Sequence, residues 1–413
     1  MNNLERTVHR IVGDFPFIRI PLVYLYQRCL SFIPVKNSQK SEITVTPGHF
    51  FGFHDKCPWS FDDKYIVSHK FDHTLPISLT EKRPVEIGIF SQDAYEARDF
   101  KPLAKTYAWN WQQGASAQWL GKTYNIIFND ISDIQCVAKI IDREGTIDKI
   151  IPSHIANVTC NGKFGFSYSF SRLGKGMAGY GYQFNKKLHT QELSNTSLNR
   201  FDLESDNSIE LFELEEFAAS NFEESMRGAF SFFTHCNSSP DSKRFSFLHR
   251  WIDKYQRLQT RMYSANIDGG NLIKLPLEDC SHIAWYDNNK ILAYCKPLGK
   301  DFDYYLIDYV KATTEKLMAS LVSSDGHPQV STDCRYVLTD TYPDRLRRQK
   351  LKLFDVKSSR EFELASLRIP FKYRLEQRCD FHPRLNRSNS MICFDSAHSG
   401  VRSLCLMKNN FQL

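Results

Sequence analysis

The sequence predicts an all-β fold, a seven-bladed β-propeller with a short apolar, partly helical N-terminal extension, and three observations carry that prediction. Aromatic residues make up 14% of the 413 residues, with 31 Phe and 19 Tyr, and flat rings pack well on pleated surfaces. A phrase recurs seven times: strand-forming residues, a polar turn rich in Asp, Asn, Gly, Ser or Lys, then a second hydrophobic strand. Successive copies lie about 40 to 80 residues apart, close to one four-stranded blade plus insertions.

The copies are CPWSFDDKYIVSH from Cys57, AQWLGKTYNIIF from Ala117, ANVTCNGKFGFSY from Ala156 and SSPDSKRFSFLH from Ser238. HIAWYDNNKILAY from His282, HPQVSTDCRYVLTD from His327 and HPRLNRSNSMICFD from His382 complete the set. Between them, RMYSANIDGGNLIKL (261–275) and LKLFDVKSSREFEL (351–364) read as outer hairpins. The propeller is assigned to residues 43–413. The acidic stretch 203–225 reads as a partly helical insertion on the solvated surface.

Residues 1–42 form the extension. Its apolar run is broken by Arg19, Arg28, Pro16, Pro21 and Pro34, which excludes both a signal-peptide core and a spanning helix. It suits in-plane attachment at a membrane surface, or packing on the outside of the propeller. Lys and Arg exceed Asp and Glu by 53 to 47 without a long basic run, so nucleic acid is not indicated as a partner. The 11 cysteines include no CxxC pair and read as small buried residues in a reducing compartment. The expected location is the cytoplasm, with the extension suited to the inner membrane face.

In a propeller the first strand of each blade lines the central channel. His282, His327 and His382 open three successive phrases, so the fold brings them around one axis. Asp380 and His382, two apart, share a face of an extended chain. Imidazole nitrogen and carboxylate oxygen together suit a divalent ion of intermediate hardness such as Mn²⁺, better than Ca²⁺ or Mg²⁺. His327, Asp380 and His382 form such a set, with Gln377 as an added oxygen ligand.

The stretch EQRCDFHPR (376–384), with DGHPQVS, CSHIAW and TRMYSANIDG, resembles the oligogalacturonate lyases. These are seven-bladed propeller enzymes that cleave uronate oligosaccharides by β-elimination with manganese. The resemblance covers about residues 245–410. It implies that His327 matches a metal-binding histidine opening one blade, and that Gln377 and His382 match the ends of a Gln-x-x-His-x-His run opening the next. Asp380 stands where the family has the middle histidine, which keeps a ligand but adds negative charge. The resemblance further implies that His282 is the base and Arg261 the arginine that meets the substrate carboxylate, with Arg257 as the fallback.

Earlier segments, FFGFHDKCPWS, YAWNWQQGASAQWL and FGFSYSFSRLGKGMAGYGY, resemble propeller proteins associated with bacterial surface-polysaccharide biosynthesis, some labelled glycosyltransferases. Trp109, Trp111, Gln112 and Gln113 offer an aromatic platform with amides suited to sugar hydroxyls, or Trp packing between blades. Arg172 suits bidentate pairing with a carboxylate or phosphate, or a structural ion pair. Gly174, Gly176, Gly179 and Gly181 read as a flexible lid or turn, and Asp340, Asp344 and Asp395 as turn residues.

These readings converge on a protein that binds an acidic, uronate-containing oligosaccharide or polysaccharide precursor. It would process that glycan by metal-assisted β-elimination in surface-polysaccharide metabolism. The alternative is a noncatalytic glycan-recognition or glycosyltransferase-associated propeller. A Rossmann-type βαβ pattern for a nucleotide-sugar donor is missing.

Overall fold

The computed structural model describes residues 24–80, 83–93, 96–132, 135–182, 184–205, 207–317 and 324–410. They fold into seven antiparallel sheets, five of them built wholly from strands consecutive in the chain. Blade 1 comprises His49–Phe50, Tyr65–Lys70, Val85–Asp93 and Glu96–Thr106. Blade 2 comprises Gln118–Trp119, Ile126–Ser132, Gln135–Ile141 and Ile147–Ile151. Blade 3 is Asn157–Val158, Phe164–Ser167, Ser197–Asp202 and Ser208–Glu213, and blade 4 is Phe230–Ser238, Arg244–Ile252, Leu258–Asn266 and Ile273–Lys274. Blade 5 is Leu277–Trp285, Lys290–Pro297, Asp303–Asp308 and Thr313–Lys316, and blade 6 is Gln329–Val330, Tyr336–Asp340, Arg348–Asp355 and Arg360–Arg368.

Blade 7 closes the ring. Its inner strands Arg384–Leu385, Met391–Ser396 and Ser403–Lys408 come from the C-terminal part, and its outer strand, Ile43–Pro47, from the N-terminal part. The seam runs in continuous register from Ile43 opposite Met407 to Pro47 opposite Ser403. Covering the last edge in this way leaves no long unpaired strand within the blade.

The turn between the first two strands shows why the phrase repeats. In Ser60–Tyr65, Thr159–Phe164, Ser239–Arg244 and Ser331–Tyr336 the leading hydroxyl donates to an Asp or Asn two residues on, at 2.8, 2.7, 2.7 and 2.5 Å. The same hydroxyl accepts the amide five residues on, at 3.1, 3.0, 3.0 and 2.8 Å. The fourth residue, Asp63, Gly162, Ser242 or Cys334, adopts positive φ. Side-chain bonds of this kind substitute for ladder bonds where the backbone reverses. Asn386–Met391 keeps the same backbone bonds with Asn389 at positive φ.

The faces of neighbouring blades pack through aromatic rings. Phe166 stacks on Phe245 across blades 3 and 4 at 4.5 Å, and Phe212 stacks on Phe247 across the same pair of blades at 5.3 Å. Each such buried side chain contributes about 1.5–3 kcal/mol. Short helices interrupt the β architecture. Phe170–Gly176 and Lys186–Ser194 form an insertion between the second and third strands of blade 3, and Leu214–Ser220 leads toward blade 4.

The glycine-rich stretch read as a flexible lid or turn is thus partly helical. A Cβ on Gly174 would lie 2.7 Å from the Cα of Gly181, so the helix and the returning loop cross in contact. The acidic stretch 203–225 supplies the outer strand of blade 3 as well as a helix, and is not merely solvated surface.

Of the N-terminal extension, residues 1–23 lie outside the described residues. Beyond them, Tyr24 packs edge-on against Phe371 at 5.3 Å with Arg374 over its ring, and Ser38–Gln39 adds a fifth strand to blade 6. Leu25, Phe32 and Ile33 remain exposed. No helix among the described residues is long and apolar enough to cross a membrane. All eleven cysteines are free thiols.

Candidate metal centre

One end of the channel gathers imidazoles from several blades. His327 lies 4.3 Å, ring centre to ring centre, from both His282 and His382. The ring of Phe53 sits among His54, His235, His327 and His382 at 4.5 to 5.9 Å. His327, Asp380 and His382 each offer a ligand atom within 4.8 Å of the others. All three are at most 1% exposed.

Asp340 organises this set from the second strand of blade 6. Its Oδ1 accepts the backbone N–H of His327 at 2.7 Å and the Nδ1–H of the same residue at 2.8 Å. Its Oδ2 accepts the amides of Phe381 and His382 at 3.1 and 3.2 Å. The segment carrying Asp380 and His382 is therefore a pinned loop with His382 at positive φ, not the regular pleat from which their shared face is expected. Asp340 is wholly buried and does far more than shape a turn. Asp395, also buried, accepts the amides of Phe51 and Gly52 at 2.9 Å. Asp344 alone of the three keeps a turn role, accepting from Leu346 and Arg348.

With Nδ1 of His327 committed to Asp340, its Nε2 is left without a partner among the described residues, as are Oδ1 of Asp380 and both ring nitrogens of His382. Buried polar atoms are ordinarily paired, so orphaned atoms on three residues that each offer one ligand atom within 4.8 Å of the others mark a site that takes a ligand. Burial, then the neighbouring His327 and Arg384, holds His382 well below the usual imidazole range. Burial also disfavours charge on His327, but the Asp340 and Asp380 carboxylates outweigh it and raise its pKa. Asp380 Oδ2 accepts from Arg378 Nε at 2.5 Å, which offsets the extra charge of this position.

His282 is arranged differently. Its Nδ1 donates to Asp325 Oδ1 at 2.9 Å, and Ser281 Oγ donates to Asp325 Oδ2 at 2.7 Å. That fixes the tautomer and leaves Nε2 with a lone pair. Burial lowers the His282 pKa while Asp325 opposes the shift.

The other predicted residues fall at varying distances from this centre. Gln377 lies on the short turn Leu375–Gln377, where its carbonyl accepts from Arg402 at 3.4 Å. Its side chain makes no hydrogen bond to the three ligands among the described residues. Arg261 is held by Glu223 and the carbonyl of Asn221 and lies over Trp251, and Arg257 is held by Asp253 at 2.9 Å. Arg250 instead reaches the inner strand of blade 5, donating to the carbonyls of Cys280 and Ser281 at 3.2 and 3.3 Å. Its charge is felt by His282 and His235.

Arg172 is satisfied by the carbonyls of Leu193 and Ser231 at 2.7 and 3.0 Å, with Phe230 beneath it. Trp109 and Trp111 pack edge-to-face at 4.8 Å, and Trp109 Nε1 donates to the Arg83 carbonyl. Gln112 braces the loop before Asp380, donating to the carbonyls of Glu376 and Arg378 at 3.2 and 3.0 Å. Gln113 is buried, with its amide N–H on Asn110.

One cavity is walled in part by the predicted Trp109 and Trp111, and another includes His54 of the histidine cluster. The first, of about 410 Å³, is also walled by Lys175, Tyr182, His189 and Glu376. Tyr180, whose neighbours Gly179 and Gly181 line this cavity, accepts from Arg378 at 3.0 Å, and Arg378 in turn donates to Asp380. The second, of about 370 Å³, is lined by inner-strand residues of blades 2 to 6, among them Gln118, Asn157, Asn237, Ala284 and Gln329, with His54 and Arg387 beside them. The sequence reading passes over His54, His235, Asp325 and Arg250. His54 and His235 each stand three residues before a recurring phrase, at Cys57 and Ser238, and that phase would have flagged them.

Neither a family model nor a curated protein matches the chain in sequence. In structure it is similar to an oligogalacturonate lyase in complex with manganese, with TM-score 0.64 and 14% identity, covering 92% of this chain and 97% of that one. It is also similar to an oligogalacturonate lyase from Vibrio parahaemolyticus, with TM-score 0.62 and 12% identity, covering 91% and 97%. A puromycin-hydrolysing peptidase from Mycobacterium tuberculosis matches with TM-score 0.51 and 8% identity, over 89% of this chain and 55% of that one. At these identities the similarity establishes the seven-bladed propeller fold.

Proposed function

We propose that this protein is a lyase that cleaves an acidic, uronate-containing oligosaccharide by β-elimination, assisted by a divalent cation such as Mn²⁺. One observation carries the reading: His282, oriented by Asp325, stands beside the orphaned ligand atoms of His327, Asp380 and His382. Two imidazoles and one carboxylate fit an ion of intermediate hardness, and the ring nitrogen of His327 backed by Asp340 follows the usual outer-shell pattern of ligating histidines.

The bound cation would neutralise the uronate carboxylate and so acidify the proton α to it. His282 Nε2 takes that proton, and Asp325 stabilises the imidazolium that results. The electron pair forms the new C=C bond and breaks the C–O bond to the leaving sugar, whose oxygen takes up a proton from solvent, so no covalent nucleophile is needed. Arg250, beside the strand that carries His282, takes the role of the arginine that meets the carboxylate. Trp111 and Lys175 on the cavity wall suit a sugar face and an acidic group.

A second reading, a noncatalytic module for a surface-polysaccharide precursor, is favoured by the near-complete burial of His327, Asp380 and His382. The two separate on one experiment. Mn²⁺-loaded protein given a panel of uronate oligosaccharides is expected to generate the ultraviolet absorbance of an unsaturated product, lost in His282→Ala. Glycan binding without that absorbance supports the recognition module.

A further inference from the structure

We propose that Cys136, His154 and Glu192 form a second metal site, selective for Zn²⁺, that clamps the helical insertion of blade 3 to blade 2. The three residues come from three separate elements. Cys136 is on the third strand of blade 2, His154 on the connection into blade 3 and Glu192 on the helix Lys186–Ser194. Their ligand atoms nevertheless lie within 4.8 Å of one another. A tetrahedral Zn²⁺ holds its donors about 3.5 Å apart, a contraction that side-chain rotation supplies.

The histidine is already set as a ligand. Its Nε2 lies 3.0 Å from the carbonyl oxygen of Asp130, so that nitrogen carries the proton and donates. Nδ1 is then the lone-pair nitrogen, and it is buried with no protein partner among the described residues. A ring nitrogen anchored on a backbone carbonyl while the other meets the metal is the common arrangement of zinc-bound histidine. His154 is 1% exposed, so water offers little alternative satisfaction.

The donor set distinguishes this site from the one on the channel axis. A thiolate joined to an imidazole and a carboxylate selects a borderline-soft ion, whereas the axial set has no sulfur and suits a harder one. Cys136 is in this respect unlike the inert buried thiol that the sequence suggests.

The location gives the ion a purpose. The ring of His154 packs against Phe170, Tyr182 and Phe184 at 5.6, 5.1 and 5.7 Å, and Tyr182 walls the cavity of about 410 Å³. The carbonyl of Glu192 accepts from Ser169, the cap of the helix Phe170–Gly176. Fixing Glu192 therefore fixes both helices and, through them, the loop that carries Tyr180. This inference stands apart from the lyase reading and survives its failure.

The test is cobalt substitution in the full-length protein. Titration with Co²⁺ is expected to produce a thiolate-to-cobalt charge-transfer band. That band should vanish in Cys136→Ser, weaken at least tenfold in apparent affinity in His154→Ala, and remain unchanged in His327→Ala. Zn²⁺ should raise the Tm of the wild type and leave that of Cys136→Ser unmoved. No charge-transfer band in wild-type protein at saturating Co²⁺ overturns the proposal, and this result needs no variant to fold. A band that persists in Cys136→Ser overturns it equally.

Discussion

Asp340 holds His327 at two points, the ring Nδ1 at 2.8 Å and the backbone amide at 2.7 Å, and through its other oxygen it holds the loop of the next blade. One carboxylate thus sets the relative position of ligands from blades 6 and 7. In Asp340→Asn the acceptor for the His327 ring is weakened and its tautomer freed. Mn²⁺ affinity measured by calorimetry should fall about 10- to 100-fold, with a loss of stability of order 3–5 kcal/mol for breaking a buried charged network. Unchanged affinity would show that Asp340 serves only the backbone.

His282 is predicted to act as a base in its neutral form. Burial holds its pKa below the ordinary 6.5, against the opposing pull of Asp325. The rate of product formation should be flat at neutral pH and decline only in acid, as the imidazole protonates. Asp325→Asn removes the opposing carboxylate, so the acid limb moves to lower pH while the plateau drops through lost orientation. His282→Ala should cost about 10²- to 10⁴-fold. An acid limb that moves to higher pH in Asp325→Asn contradicts this arrangement.

Arg250 and Arg261 make a discriminating pair. Arg261 is occupied by Glu223 and makes no hydrogen bond to His282, His327 or His382 among the described residues, whereas Arg250 acts electrostatically on His282. Arg250→Gln should reduce kcat/KM for uronate oligosaccharides about 100-fold, roughly 2.7 kcal/mol. Arg261→Gln should lower Tm and leave kcat/KM within about threefold. The reverse pattern would restore Arg261 to the role that the sequence resemblance implies.

Buried neutral histidines should make the fold acid-sensitive. Burial lowers His49 and His249 to about 3 and His69 to about 4. The unfolded chain binds protons near pH 6.5 and the folded one does not, so stability is intact above that pH. It is lost as pH falls from about 6.5 toward 4, by up to ~1.4 kcal/mol per pH unit for each such histidine. His249, packed against Phe217, Phe233 and Trp251 with both ring nitrogens unpartnered among the described residues, is the cleanest probe. His249→Phe should remove about one proton from the slope of unfolding free energy against pH. An unaltered slope would assign the acid sensitivity elsewhere.

The propeller was legible because its turn chemistry is local. Ser60, Thr159, Ser239 and Ser331 each fold their own six residues, so the motif survives in the sequence whatever surrounds it. His327 and His382 were legible because they open phrases of known phase, and Asp380 because it stands two residues before one of them. Asp325 and Arg250 were not, since their partners are residues such as His282 and the carbonyl of Cys280, brought near by strand register and not by spacing. Arg261 illustrates the converse. The antiparallel register sets it opposite His249, but only the fold reveals that Glu223, from a stretch that looked like solvated surface, has claimed it. The histidine at 154 carried no sequence signal at all, because Cys136 and Glu192 belong to other elements.

The central claim is that the ring delivers His327, Asp380 and His382 to one ion beside His282. Pulsed electron paramagnetic resonance of Mn²⁺ added to the full-length protein tests it most directly. The account predicts one bound Mn²⁺ per chain with couplings from two imidazole nitrogens, one of which disappears in His382→Ala and the other in His327→Ala. Mn²⁺ that shows only the spectrum of the hydrated ion, or nitrogen couplings that survive both substitutions, would contradict it.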